Sequence, residues 1–299
     1  MECLLNRQGK ALDKSQEPSN TGGELLNRNS SFLGEDVSPR TAPQPVESNA
    51  QPVFPTNVQL HFTTDTDRMS NKSYRKNLRT LNLYANTMKD SAQWYLRELA
   101  GTNIHYVYQT PAKEALQILK VSFDKKNWMH LTGVTPVYSE HVESLSESFI
   151  EDVAVGRGHF KDLKFAAGMS DKLKVLNLLP EIVEPDTFVF NDLSSVQKLK
   201  NLDLAKAINP EDSDLLLLFK EQEFSHVPAS LMRIKGELSE KLAATDSGTV
   251  FGVYQERDGQ LKQIAINKDY VKDGGQEMLR VLKNKQFEEI GKSPTPATE

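Results

Sequence analysis

The stretch "NWMHLTGV", residues 127–134, sets a titratable imidazole among residues that ask for burial. Trp128, Met129, Leu131 and Val134 are apolar, and Gly133 can close a turn or let the backbone pass closely. His130 is therefore either a core histidine with its ring nitrogens hydrogen-bonded or an acid/base in a water-poor pocket. Lys172 raises a similar question. In a helix over 171–179 it shares a face with Val175, Leu176 and Leu179, whereas Lys174 shares one with Asn177 and Glu181. Either its ammonium snorkels to water from an apolar stripe or it is placed for chemistry. Ser230, in "HVPASLMRIKG", follows Pro228 at a strand start. Strand alternation puts Ser230 and Met232 on one face and Arg233 and Lys235 on the other, so only one of these pairs would face a given site.

A histidine, a lysine or arginine and a hydroxyl suffice for one reaction without a metal. RNA carries its own nucleophile, the 2′-hydroxyl, and an enzyme then needs a base, an acid and donors for charge growing on the phosphoryl oxygens. Other chemistries lack their motifs. There is no phosphate loop, no dinucleotide fingerprint and no H-E-x-x-H zinc helix, and "VGRGHF" at 155–160 lacks the third glycine. The six histidines show no ligand spacing, and the single cysteine, Cys3, can form neither an intramolecular disulfide nor a cysteine metal site. No metal or cofactor is expected.

Several elements must hold these side chains in place. Residues 1–60, rich in Ser, Asn, Gln, Pro and Thr, bury too little apolar area to offset ordering entropy and read as a disordered head. Over 68–100, Tyr74, Leu78, Leu81, Ala85, Met88, Ala92, Tyr95 and Leu99 recur at intervals of three and four. This predicts one long amphipathic helix, capped by Ser70 and closed at Gly101. Its seam must pack on the following domain or on a second copy. Lys72, Arg75, Lys76 and Arg79 share its polar face, with no acidic residue between Arg68 and Lys89. Such a stripe is either a solvated face or a phosphate contact.

From Ile104 the pattern turns to strands. "IHYVYQT" and "ALQILKVSF" read as a pair around Pro111, and "TVFGVYQERDGQLKQIAIN" as a hairpin at Asp258-Gly259. Helices are read in "HVESLSESFIEDVAVGRG", "DKLKVLNLLPEI" and "GQEMLRVLKN", before a polar tail over 286–299. Helices first and a mainly antiparallel sheet later make an α+β fold. No apolar run is long enough for a membrane span and no secretory signal is visible, so a soluble, cytoplasmic protein is expected.

Four segments in order, "KNWMHLTGV", "DKLKVLNLLPEI", "VPASLM" and "GTVFGVY", resemble a family of phage- and mobile-element-associated nucleases. The family is named for barnase, EndoU, colicins and RelE. The resemblance implies helices set before an antiparallel sheet over a nuclease domain at 104–285. It implies metal-independent RNA cleavage by a toxin or effector, with His130, Lys172 and Ser230 as catalytic residues. Thr132, Arg233 and the stripe Lys72, Arg75, Lys76 and Arg79 are the expected substrate contacts. A neutralising or docking protein would meet the 68–100 helix or the head. The rival readings are a non-catalytic interaction module with the same fold and a helix-mediated homodimer. Residues 104–285 carry 23 Lys and Arg against 27 Asp and Glu, so RNA would need a focused patch.

Overall fold

The computed structural model describes residues 52–55, 57–193, 196, 204 and 206–291. The first elements are β1 (Thr63–Thr64), α1 (Lys72–Leu83), α2 (Ala85–Glu98), β2 (Thr102–Thr110), β3 (Lys113–Phe123) and α3 (Lys125–Thr132). Next come β4 (Val134–Val137), α4 (Leu145–Ala154), β5 (His159–Phe160), β6 (Asp162–Phe165) and α5 (Met169–Val175), then a 3-10 segment, Leu176–Val183. The chain ends in β7 (Thr187–Phe190), β8 (Lys206–Pro210), β9 (Leu215–Glu221), β10 (His226–Arg233), α6 (Glu237–Ala243), β11 (Ser247–Arg257), β12 (Gln260–Ile266) and α7 (Gln276–Gly291).

The class is α+β, and the main sheet closes on itself. Its order is β12-β11-β2-β3-β10-β9-β8-β7, and β7 also pairs with β11 through Ser247–Thr249. Seven strands thus form a barrel, with β12 a flap on the second half of β11. Every pairing in it is antiparallel except β3 with β10, which meet in parallel at one pair, Val121 and His226. That contact is the weak seam of the wall. Beyond it the edge of β10 faces α3 and α5, which pack against the strand. The β11–β12 hairpin turns at Asp258 and Gly259, with φ of 51° and 73°, the left-handed pair a two-residue turn needs.

The single long helix expected over 68–100 is two. Asn71, not Ser70, caps α1, its side chain accepting from the N–H groups of Ser73 and Tyr74 at 2.9 and 3.2 Å. The rod then breaks at Tyr84, which lies outside helical geometry (φ −109°, ψ 13°) and whose N–H bonds Leu81 in a tightened turn. On either side of the break the asparagines clamp the incoming chain. Asn82 binds the N–H and C=O of Phe62 at 2.7 and 3.0 Å, and Asn86 accepts from Leu60 N–H at 3.3 Å. All eight seam residues are nonetheless buried, inside one chain. The seam is therefore filled from within and leaves no stripe for a second copy.

Most of the head lies outside the described residues. Its described part, 52–55 and 57–60, has neither helix nor strand, yet Leu60 is buried and Phe54 packs on the core. At the other end α7 continues to Gly291, past the expected start of the tail; residues 292–299 lie outside the described residues. The main core joins the inner wall of the barrel to α1–α5 and the 3-10 segment. Two smaller clusters cover the outer wall, one under α6 and one under α7. Among the described residues no helix is long and apolar enough to cross a membrane.

Candidate nuclease cleft

Helix α3 carries the opening stretch. Asp124 N–H donates to Asn127 Oδ1 at 2.8 Å to start it, and Gly133, at φ 71°, ends it. Trp128, Met129 and Leu131 are buried, and Trp128 Nε1 donates to Ser91 Oγ at 3.2 Å. His130 is exposed, so it is not a core histidine. Its pKa is lowered, first by partial desolvation and then by the charges of Lys172 and Lys220. Thr132, expected to meet substrate, is fully buried. Its hydroxyl donates to Met129 C=O at 2.8 Å and accepts from Val134 N–H at 3.1 Å. Both bonds serve the helix end, so its hydroxyl is spent inside the fold.

Lys172 reaches the same helix end from α5. Its Nζ donates to His130 C=O at 2.7 Å, and its stem crosses Gly133 so closely that a β-carbon there would stand 3.2 Å from Lys172 Cδ. Glycine at 133 thus meets two demands, a positive φ and room for the lysine. Burial brings the Lys172 pKa down to about 8. The adjacent Asp171 carboxylate is taken by Lys235 at 2.7 Å and Lys174 at 3.6 Å.

A cleft of about 410 Å³ opens between α5, the loop Ala166–Gly168, α6 and the free edge of β10. Lys172, Ser230, Met232, Arg233 and Lys235 all line it. Faces of a strand alternate, but a cleft along an unpaired edge collects residues from both. The expected separation of Ser230 from Arg233 and Lys235 fails for that reason. A bulge at Ala229, between Pro228 and Ser230, sits beside the cleft and re-aims the strand. Arg233 is held by Asp214, its Nε and an Nη each 3.0 Å from Oδ2.

The structure thus joins Lys172, Ser230 and Arg233 in one cleft, with His130 on the helix whose end Lys172 caps. Lys72, Arg75, Lys76 and Arg79 are exposed on α1, which packs beside α5, and they do not line the cleft.

A second polar cluster, on the outer wall, has no counterpart among the sequence candidates. Glu256 Oε2 receives His105 Nε2 at 3.0 Å and Asn103 Nδ2 at 3.2 Å, with Lys120 Nζ at 3.9 Å. Burial raises the Glu256 pKa, yet these donors outweigh it and hold the carboxyl below its ordinary value. The signal was present in the strands: Asn103 and His105 alternate with Ile104 and Tyr106, and Lys120 and Ser122 with Leu119 and Val121. Next to this cluster the turn between β9 and β10 forms a groove of about 360 Å³ that includes Phe224, Ser225 and His226.

Comparisons with curated proteins and with solved structures give no match. A family model does match. It covers residues 87–272, from α2 through β12, which leaves out α1 with its basic stripe and takes in both polar clusters. The ordered segments, the α+β barrel and this match agree, and the chain belongs to the phage-Barnase-EndoU-ColicinE5/D-RelE like nuclease 4 family.

Proposed function

We propose that this protein is a metal-independent ribonuclease, of the toxin or effector type carried by a phage or mobile element, acting at the edge of β10. The observation that carries the reading is the position of Lys172, a desolvated ammonium that lines an open cleft with Ser230 and touches the helix of His130. A charge buried without a carboxylate partner costs free energy, and such costs gather where chemistry is done.

In this reading His130, neutral at physiological pH, takes the proton of the 2′-hydroxyl. The O2′–P bond forms and the P–O5′ bond breaks. Lys172 faces the charge growing on the phosphoryl oxygens, and a pKa near 8 makes it acidic enough to protonate the departing 5′-oxygen. The Ser230 hydroxyl donates a hydrogen bond to the same oxygens. Products carry a 2′,3′-cyclic phosphate and a free 5′-hydroxyl.

A second reading has its own support. Lys172 serves α3 as a C-terminal cation and Arg233 is tied to Asp214, which suits an interaction module that has kept the fold without the reaction. Incubating the purified full chain with total RNA in EDTA separates the two. Cleavage to cyclic-phosphate ends that is lost in His130→Ala supports the nuclease. Absence of cleavage, or cleavage indifferent to His130, overturns the assignment.

A further inference from the structure

Phe224 is 78% exposed, among the most exposed large hydrophobic side chains of the described residues. It sits on a tight turn: Gln222 N–H donates to Ser225 C=O at 2.8 Å, and Glu221 pairs with His226 across it. The turn is pinned to the barrel wall, since the Ser225 and Ser122 hydroxyls lie 3.0 Å apart and Ser122 Oγ donates to Asn103 Oδ1 at 2.6 Å. The phenyl ring is exposed on this turn and lines a groove with Lys120, Ser225 and His226.

We propose that this groove holds an unpaired base of the RNA strand, stacked on Phe224, next to the cleft at Ser230. The proposal rests on the ribonuclease reading for the identity of the strand. Three observations favour a single-stranded base over other occupants. An exposed aromatic ring on a hydrogen-bonded turn offers a platform that any base can use and that a paired base cannot reach. Glu221 and Glu223 also line the groove. Their carboxylates repel phosphates but accept hydrogen bonds from the amino groups of a base, so the groove selects the base rather than the backbone. Finally, His226 and Ser230 pair with Glu221 and Leu218, three residues apart on β9 because of the bulge, about 10 Å at strand rise, a span one strand can cover. Between them β10 faces α3, and Lys220, which acts on His130, pairs with Val227.

The test is binding, not cleavage. A short single-stranded 2′-O-methyl oligonucleotide, which offers no 2′-nucleophile, is titrated into the full chain by fluorescence anisotropy. The same sequence as a duplex, and the Phe224→Ala, Phe224→Trp and Leu83→Ala chains, complete the set. Leu83, 77% exposed at the end of α1, lines neither the groove nor the cleft, which makes it the control for losing a surface hydrophobe. We expect Phe224→Ala to weaken single-strand binding about 5- to 100-fold, Phe224→Trp to restore it, and Leu83→Ala to leave it as it was. Equal binding by Phe224→Ala and the unaltered chain overturns the groove, as does equal affinity for duplex and single strand. A chain that binds through Phe224 but never cleaves RNA keeps the groove and overturns the ribonuclease.

Discussion

The two polar clusters use the same residue types and settle their charges in opposite ways. On the outer wall Glu256 gathers His105, Asn103 and Lys120, and its ionised form is favoured despite burial. Beside β10, Lys172 is half-buried against a backbone carbonyl while the neighbouring Asp171 is spent on Lys235 and Lys174. The first cluster has met its electrostatic needs within the fold. The second leaves Lys172 without a carboxylate among the described residues, and in the proposed reading a phosphate completes it. A charge-balanced network reads as architecture, and a cation beside a cleft with only a backbone carbonyl for partner is a candidate site.

The two largest effects expected are losses of cleavage. Lys172→Met should lower RNA cleavage by about 10²–10³-fold, the scale of one donor to a developing oxyanion. His130→Ala should cost about 10²–10⁴-fold, the scale of general acid–base catalysis. Because His130 is exposed, its replacement should leave the melting temperature near that of the unaltered chain, which circular dichroism reads directly. His141, exposed before α4 rather than within it, serves as the control whose removal changes little.

The outer wall should behave in reverse. Glu256→Gln removes the negative charge that His105, Asn103 and Lys120 meet and should destabilise the fold by about 1–3 kcal/mol, measured by urea unfolding. Cleavage by the folded variant should stay within a few-fold of normal. If instead Glu256→Gln folds well and loses cleavage, the roles exchange, and the acid–base centre is His105 with Glu256.

A smaller effect lies in the pH profile of cleavage. His130 must be neutral to accept a proton, so activity rises as pH climbs through a value below the ordinary histidine one. Lys172 must be charged, so activity falls as pH passes about 8. The profile should be a bell between these limits. Lys172→Arg, if it retains any cleavage, should lose the alkaline limb, since a guanidinium keeps its proton there. An alkaline limb unchanged in the arginine variant assigns it to another group.

Much of this contrast was legible in the chain, though unevenly. Apolar spacing located every buried apolar residue of α1 and α2, because burial follows period, but not the buried Lys89 and Ser91. It missed the break at Tyr84, which Asn82 and Asn86 flank while binding the chain at Leu60–Phe62, a tertiary contact no local pattern carries. Asp258-Gly259 announced its hairpin because turn geometry is local. Barrel closure through β7 and β11 was invisible, since it joins segments about sixty residues apart. At the site, Lys172 stood out as a charge on an apolar stripe. Thr132 misled, because a hydroxyl next to Gly133 looks the same whether it meets substrate or ends a helix. The outer-wall cluster was written in strand alternation but needs Glu256 brought across from the hairpin before it means anything.

The finest test of the contrast is thermodynamic and needs no substrate. In the unfolded chain Lys172 titrates near the ordinary lysine value of about 10.4, and in the fold at about 8. Below pH 8 both states hold the proton, and the penalty of burying the ammonium is present in full. Between the two values the unfolded state binds more protons, so the free energy of unfolding gained from this group rises with pH. The slope cannot exceed about 1.4 kcal/mol per pH unit, and the total change across the window is discounted because solvent reaches part of the side chain. Lys172→Met lacks the titration. The stability gap between the variant and the unaltered chain should therefore shift steadily in favour of the unaltered chain from pH 8 to 9.5. Tyrosines with raised pKa, Tyr95 and Tyr254 among them, are common to both chains and cancel in the difference. Urea midpoints that run parallel across this window would mean that Lys172 is as well solvated in the fold as out of it, and the two clusters would then no longer differ in kind.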